Sequence, residues 1–380
     1  MEPRAPLSVW TYTVRNLRKV LPTLIILTFV VMIVIVILST LRGIKDGTLV
    51  FAREFGHYTV VMPKRKSTVS EETKRRIREH PSVDRVVESR NCMFRVRALI
   101  ASVPYQIRAV RRDDMEYIVR RAGLRLVEGR LPEPGSNEVV LHEIFMKANG
   151  WRIGAEFGMD VSEDDWMPGR FRVVGVLAGD TPMGLGSYEY VSHPMLYFFS
   201  EKLWERLLVF AKPGREAEMK AALDSMDQIR TWDHAKAEVE ISKSFDRLYL
   251  IVNFISILLI AVVALVVGLL HNIFFGQRSD EFAILLAVGH PQGRLLRKVV
   301  LETALLMTLA WGAGTGLALG CLALFHTLVL EPRGIPLPVW QPLPVLVSLA
   351  LPLVAQVFAT TTVFSRLRRL DPIQIIERRG

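Results

Sequence analysis

The chain has 380 residues; half are apolar, 23% are charged, and the formal net charge is +10. This mixture implies long uncharged stretches beside an ordinary water-soluble domain. It excludes two classes: Arg42–Arg247 balances 34 Lys+Arg against 31 Asp+Glu, so the basic excess flanks apolar runs and is no nucleic-acid footprint, and the only cysteines, Cys92 and Cys321, fall in different compartments and build no disulfide framework.

Residues 7–19 come first. Leu7, Trp10, Val14 and Leu17 follow helical spacing while Arg15, Arg18 and Lys19 point elsewhere. An amphipathic helix in the inner headgroup layer and a plain extension of the next helix both fit. No charge occurs from Val20 to Leu41, and a bilayer core takes about 20 apolar helical residues to cross. The run is longer than a signal-peptide core and no small-x-small cleavage site follows it, so it reads as a permanent anchor.

Residues 42–247 alternate strand-like and helix-like segments. Strands are expected at Tyr58–Met62, Phe94–Ile100 paired with Tyr105–Val110, Glu138–Leu141, Phe171–Leu177 and Leu207–Ala211. Ser70–His80 predicts a surface helix, with acidic residues first and basic residues last to match the helix dipole. Pro213–Met226 predicts another, and Ile241–Arg247 leads without a break into the next membrane helix. Gly129–Gly135 and Gly184–Ser187 read as loops that mark a boundary between two lobes.

Three further apolar cores follow, at Leu248–Leu270, Thr303–Leu324 and Leu343–Phe364. Basic residues cluster at the N-terminus, between the second and third runs, and at the C-terminus, whereas Arg333 is the one cation between the third and fourth. Lysine and arginine near helix ends favour the cytoplasm, which places both termini inside and Arg42–Arg247 outside. The fold class is therefore a membrane protein with four transmembrane α-helices, one plus three, and a large α+β extracytoplasmic domain inserted between the first and second. Its expected divisions are 1–19, 20–41, 42–247, 248–364 with a cytoplasmic helix at 279–289, and a tail at 365–380.

Several chemistries are missing. No GxxxxGK[ST] phosphate loop is present. His142-Glu143 opens like a zinc-protease motif, but Met146 stands where the second histidine belongs, and the histidines show no metal-ligand spacing. The spans carry no Asp, Glu, Lys or Arg except Glu302 at the inner edge of the third. Ion-coupled transport and intramembrane proteolysis need such groups near the midplane, so neither catalytic nor metal residues are assigned and energy must come from elsewhere.

The stretch Arg278–Glu302 is the most informative. Ser279 suits an N-cap, and Asp280 and Glu281 put negative charge in the first turn. Phe282, Leu285 and Leu286 form an apolar stripe, with Ile284 and Val288 beside it; Gly289 suits the left-handed residue that ends a helix, and Pro291 blocks continuation. A helix this short is unstable alone, so its apolar face needs either a protein partner or the inner lipid surface. Arg294, Arg297 and Lys298 then share a face positioned for lipid phosphates. Gly312, Gly316 and Gly320 offer a close-packing stripe, within the chain or across a dimer. Pro352 is expected to kink the fourth helix, with Gln356 bonding the freed carbonyl.

The motif R-x-x-E-[apolar]-A-[apolar]-L-x-A-[apolar]-G, here Arg278, Glu281, Phe282, Ala283, Ile284, Leu285, Leu286, Ala287, Val288 and Gly289, followed by Glu302, resembles the hallmark of FtsX-like and MacB-type ABC transporter permeases. The ending around Asp371 and Pro372, the segments EVVL and FRVVGVL of the inserted domain, and the one-plus-three arrangement are similar to the same family; Leu286 departs from it, since many relatives carry Arg or Lys there. The resemblance implies that Arg278, Glu281, Phe282, Leu285, Leu286, Ala287, Gly289, Glu302, Asp371 and Pro372 couple the chain to a separate ABC ATPase. That partner would come in two copies and carry the ATP and Mg, with no cofactor in this chain. A second permease copy, a membrane-fusion adaptor and the lipid bilayer complete the implied partners, and no nucleic acid is among them. The implied setting is a bacterial inner membrane, and the implied work is export or extraction of an amphipathic substrate, or else signalling to a cell-wall hydrolase. No substrate-binding residue can be read from the sequence.

Overall fold

The computed structural model describes residues 17–64, 68–97, 102–165, 167–191, 205–277, 279–289, 291–333 and 338–367. The expected amphipathic prelude up to residue 16, Arg278, and the tail with Asp371 and Pro372 lie outside them. Two units are distinguished: Met1–Gly43 with Asp246–His326 and Pro338–Gly380, and Ile44–Phe245 with Thr327–Leu337.

In the first unit, uninterrupted apolar sequence gives long helices because every backbone polar group is then bonded within its own segment. Four helices among the described residues are long and apolar enough to cross a membrane: Val20–Gly56, His234–Leu270, Gln292–Leu330 and Pro342–Ser365. They correspond to α1 (Leu17–Val50), α6 (His234–Gln277), α8 (Gln292–Phe325) and the pair α9 (Pro342–Ser348) and α10 (Ala350–Leu367). The interruption at Leu349 follows from Pro352, whose missing N–H leaves the Ser348 carbonyl without a helical donor. The fourth helix is thus interrupted a turn before Pro352, and Gln356 does not bond the freed carbonyl as expected. Its Nε2 donates instead to the Val300 carbonyl at 3.2 Å on α8, because a buried amide in an apolar setting takes the nearest backbone acceptor of a packed neighbour. A second tie joins α8 to α9, from Trp311 Nε1 to Ser348 Oγ at 3.0 Å.

The second unit is one mixed sheet with helices on both faces. Its strands are β1 (Thr59–Pro63), β2 (Val83–Arg97), β3 (Ser102–Val110), β4 (Arg125–Gly129), β5 (Glu138–His142), β6 (Glu156–Phe157), β7 (Phe171–Ala178), β8 (Gly184–Ser187), β9 (Glu205–Ala211) and β10 (Ile229–Trp232). They lie in the order β10-β1-β9-β2-β3-β8-β5-β7-β4, with β6 beside β7. β3/β8 and β5/β7 are parallel, and the other pairs are antiparallel.

Alternation along each strand decides which helix covers which face. Val61 and Val209 meet Ile77 of α2 (Glu71–Arg78) and Met219 and Leu223 of α5 (Glu216–Asp224). Their neighbours Val60, Leu208 and Phe210 meet Met115 and Ile118 of α3 (Arg112–Arg121) on the other side. A third cluster packs Phe94, Ile107, Phe157 and Phe171 on Phe145 of α4 (Glu143–Asn149). Each such fully buried side chain stabilises by about 1.5–3 kcal/mol, so this unit is well provided with core. The predicted helix forms as α2, and Ser70 caps it, accepting from the Thr73 N–H at 3.3 Å.

The Gly184–Ser187 loop is corrected. These residues form β8, fully buried between β3 and β5. A Cβ on Gly184 would stand 2.9 Å from Leu141 Cδ2 and 3.2 Å from Ile107 Cγ1. Glycine is there for close approach of neighbouring strands rather than for a turn. β8 thus joins the two halves of the sheet, and no boundary between lobes falls there.

Candidate coupling site

The short helix α7 spans Ser279–Ala287. Gly289 ends it with φ +92°, its N–H donating to the Leu286 carbonyl at 3.0 Å, and Pro291 holds extended backbone before α8. Phe282 is 1% exposed and packs on Leu295 of α8 and Val363 of α10, with Leu285, Leu286 and Leu296 partly buried around it. The stripe Phe282, Leu285 and Leu286, expected to meet a partner or the lipid surface, therefore turns toward the chain's own helices. Phe282 faces the chain's own helices, since the largest apolar side chain gains most from leaving water. Glu281, Ile284, Ala287, Val288 and Gly289 are exposed, Ile284 at 55% and Val288 at 74%.

Arg294 and Arg297 are exposed as the sequence predicts. Lys298 is not: it turns inward, its Nζ 3.8 Å from the carboxylate of buried Glu302 one turn on. A carboxylate taken out of water holds a cation beside it.

The glycine stripe behaves differently from its neighbour. A Cβ on Gly312, Gly316 or Gly320 would meet nothing within 4 Å. One on Gly314 would stand 2.7 Å from the Thr28 carbonyl oxygen and 2.8 Å from Val31 Cβ, where Thr28 Oγ1 also donates to the Ala310 carbonyl at 3.3 Å. Close packing of α8 on α1 thus runs through Gly314, a position the sequence reading passed over. The spaced glycines face open surface of the chain.

The inserted domain holds a buried charge cluster that sequence reasoning missed. The 3-10 turn Phe51–Gly56 carries Glu54, whose Oε1 accepts from Arg108 Nη2 at 2.6 Å. Arg108 is 0% and Glu54 3% exposed. Arg108 Nη1 also donates to Asn91 Oδ1 at 2.9 Å and Gln106 Oε1 at 2.8 Å. Burial works against the Arg108 charge, but the Glu54 carboxylate outweighs it, so the guanidinium holds its proton more tightly than usual. Arg206 shares the Gln106 oxygen at 3.0 Å and is pulled down to about 9, by burial first and then by the Arg108 charge. Burial, with the Glu54 charge behind it, also raises Tyr105, whose hydroxyl donates to the Pro182 carbonyl at 2.7 Å. The one clue in the sequence is a lone arginine in an otherwise strand-like YQIRAV.

His142 has a structural task. It is 1% exposed, its Nε2 lies 3.0 Å from the Gly179 carbonyl, and its Nδ1 accepts from the Ile144 N–H to cap α4. Desolvation by burial lowers its pKa.

Residues 253–372, roughly a third of the chain, match the family model described as FtsX-like permease C-terminal. No curated protein matches the chain. Among solved structures it is similar to the periplasmic region of MacB from Actinobacillus actinomycetemcomitans, at 12% identity over 49% of this chain and 92% of that one, with a TM-score of 0.32. It is also similar to the extracellular domain of the noncanonic ABC-type transporter YknZ from Gram-positive bacteria, at 11% identity over 47% of this chain and 99% of that one, with a TM-score of 0.29.

Proposed function

We propose, from the premise that residues 253–372 make this chain an FtsX-like permease of the ABC-transporter class, that it is the transmembrane subunit driven by a separate ATPase. The observation that carries this reading is α7. Phe282 fixes the helix to α8 and α10, while Ile284 and Val288 stay exposed on its other side. A helix of nine residues has little stability of its own, so the packing under Phe282 is what holds those side chains in place for a docking partner. Two ATPase copies would grip two permease copies, a homodimer, in a bacterial inner membrane with both termini cytoplasmic. Nucleotide-driven closure would move the first two spanning helices and reshape the inserted domain outside. Export or extraction of an amphipathic substrate then needs no charged pore, in keeping with the uncharged cores Val20–Leu41, Leu248–Leu270, Thr303–Leu324 and Leu343–Phe364. A membrane-fusion adaptor is a further candidate partner.

The test is co-reconstitution with the partner ATPase and measurement of permease-stimulated ATP hydrolysis. Glu281→Lys and Val288→Asp, both at exposed positions, are expected to abolish the stimulation while the protein still purifies intact. Unchanged stimulation in both variants removes the coupling role. Co-purification with a peptidoglycan hydrolase, without an exported compound, replaces transport by signalling.

A further inference from the structure

The inserted domain's sheet ends at β10, which pairs with β1 on one side and with no other strand among the described residues. Beside it lies a groove of about 530 Å³. One wall is β10 with Arg230 and Trp232; the other is α6, where Ala235, Val239 and Lys243 recur every fourth residue on one face. Lys64 stands at the groove's end, next to the start of β10, where its N–H donates to the Gln228 carbonyl at 3.1 Å.

Three properties of this groove point the same way. A terminal strand presents unpaired backbone donors and acceptors, which only another backbone satisfies along its length. Apolar surface is also exposed: Val239 is 51% accessible and Trp232 only partly covered. The charge, finally, is unbalanced. Asp224 is neutralised by Lys236 at 2.9 Å. That leaves Lys64, Arg230 and Lys243, none of which forms an ion pair with a described residue, against the single carboxylate of Glu240. An edge that needs backbone partners, beside exposed apolar side chains and surplus cations, matches strand addition by a peptide rather than capture of a headgroup.

We propose that the groove receives an extended, acidic segment of a partner protein. The segment adds to β10 as a further strand, with its carboxylates toward Lys64, Arg230 and Lys243 and its apolar side chains against Trp232 and Val239. The site lies wholly in the inserted domain and does not depend on the coupling role of α7.

The full chain in phosphatidylcholine nanodiscs is titrated with a labelled hexapeptide of alternating glutamate and valine, followed by fluorescence anisotropy. Saturable binding below about 1 mM is expected, weakened by added salt. The combined variant Lys64→Glu, Arg230→Glu and Lys243→Glu changes side chains with no ion pair to lose among the described residues, and circular dichroism checks that it stays folded. It should bind about tenfold more weakly, as three exposed charge contacts allow. The same peptide N-methylated at alternate residues should not bind, because it keeps the charge and loses the ladder. Equal binding by the charge-reversed variant, equal binding of the methylated peptide, or no saturation would each overturn the proposal. Short-chain phosphatidylglycerol is titrated in parallel; charge-dependent saturation by that lipid and not by the peptide would assign the groove to headgroups and overturn it as well.

Discussion

Glu54 and Arg108 form an ion pair of 2.6 Å in which neither partner reaches water. Such a pair adds little net stability over apolar residues, but removing one member strands the other charge in the core. Arg108→Met is therefore expected to cost about 3–5 kcal/mol, read by chemical denaturation of the full chain in detergent. Combining it with Glu54→Met should recover part of that loss. A double variant as unstable as the single one would show that packing, not charge, holds the cluster.

Asp233 makes the complementary case for acid stability. Burial works to raise its carboxyl pKa, but Lys220 Nζ at 2.6 Å and the capping N–H of Lys236 at 2.9 Å outweigh it, so the value falls below the ordinary one. A depressed carboxylate stabilises fully above its unfolded pKa of about 3.9 and loses that contribution as pH falls through its folded value. Wild type should thus lose stability below about pH 4 more steeply than Asp233→Asn does. Melting curves of both proteins across that range test the difference.

At the scale of the element, α7 shows how much of a short helix can be read in advance. Its limits followed from Gly289 and Pro291, because a residue at φ +92° and an imide ring are local facts. Which face it turns outward was not local. Phe282, Leu285 and Leu286 form a stripe in sequence, yet only packing on Leu295 and Val363 decides that the stripe points inward. Phe282→Ala is expected to cost about 3–5 kcal/mol of local packing and to expose α7 to protease. Ile284→Asp, at an exposed position, should leave the proteolysis pattern unchanged and lower ATPase stimulation. If the two variants behave alike in proteolysis, anchoring and presentation are not separate. β8 teaches the converse: its two glycines have turn-like composition, and only Ile107 and Leu141 on flanking strands turn them into a buried strand.

For the whole molecule, the glycines of α8 separate folding from assembly. Gly314→Leu would drive side-chain atoms into the Thr28 carbonyl and Val31, so it should fail to yield folded protein. Gly312→Leu, Gly316→Leu and Gly320→Leu meet open space in the chain and should yield folded protein. If that stripe joins two copies, the triple variant turns a dimer into a monomer by light scattering in detergent. An unchanged dimer moves the contact elsewhere.

The sequence by itself determined the four apolar crossings, the α+β character of the insertion, the short helix after the second crossing and the resemblance to FtsX-like permeases. Each is a matter of run length, period or local motif, written into neighbouring residues. Only tertiary structure decided that Phe282 is an anchor, that Gly314 rather than Gly312 seats α8 on α1, and that Arg108 finds Glu54. Those outcomes rest on partners distant in the chain, and burial energies that compare whole faces are not encoded at any single position.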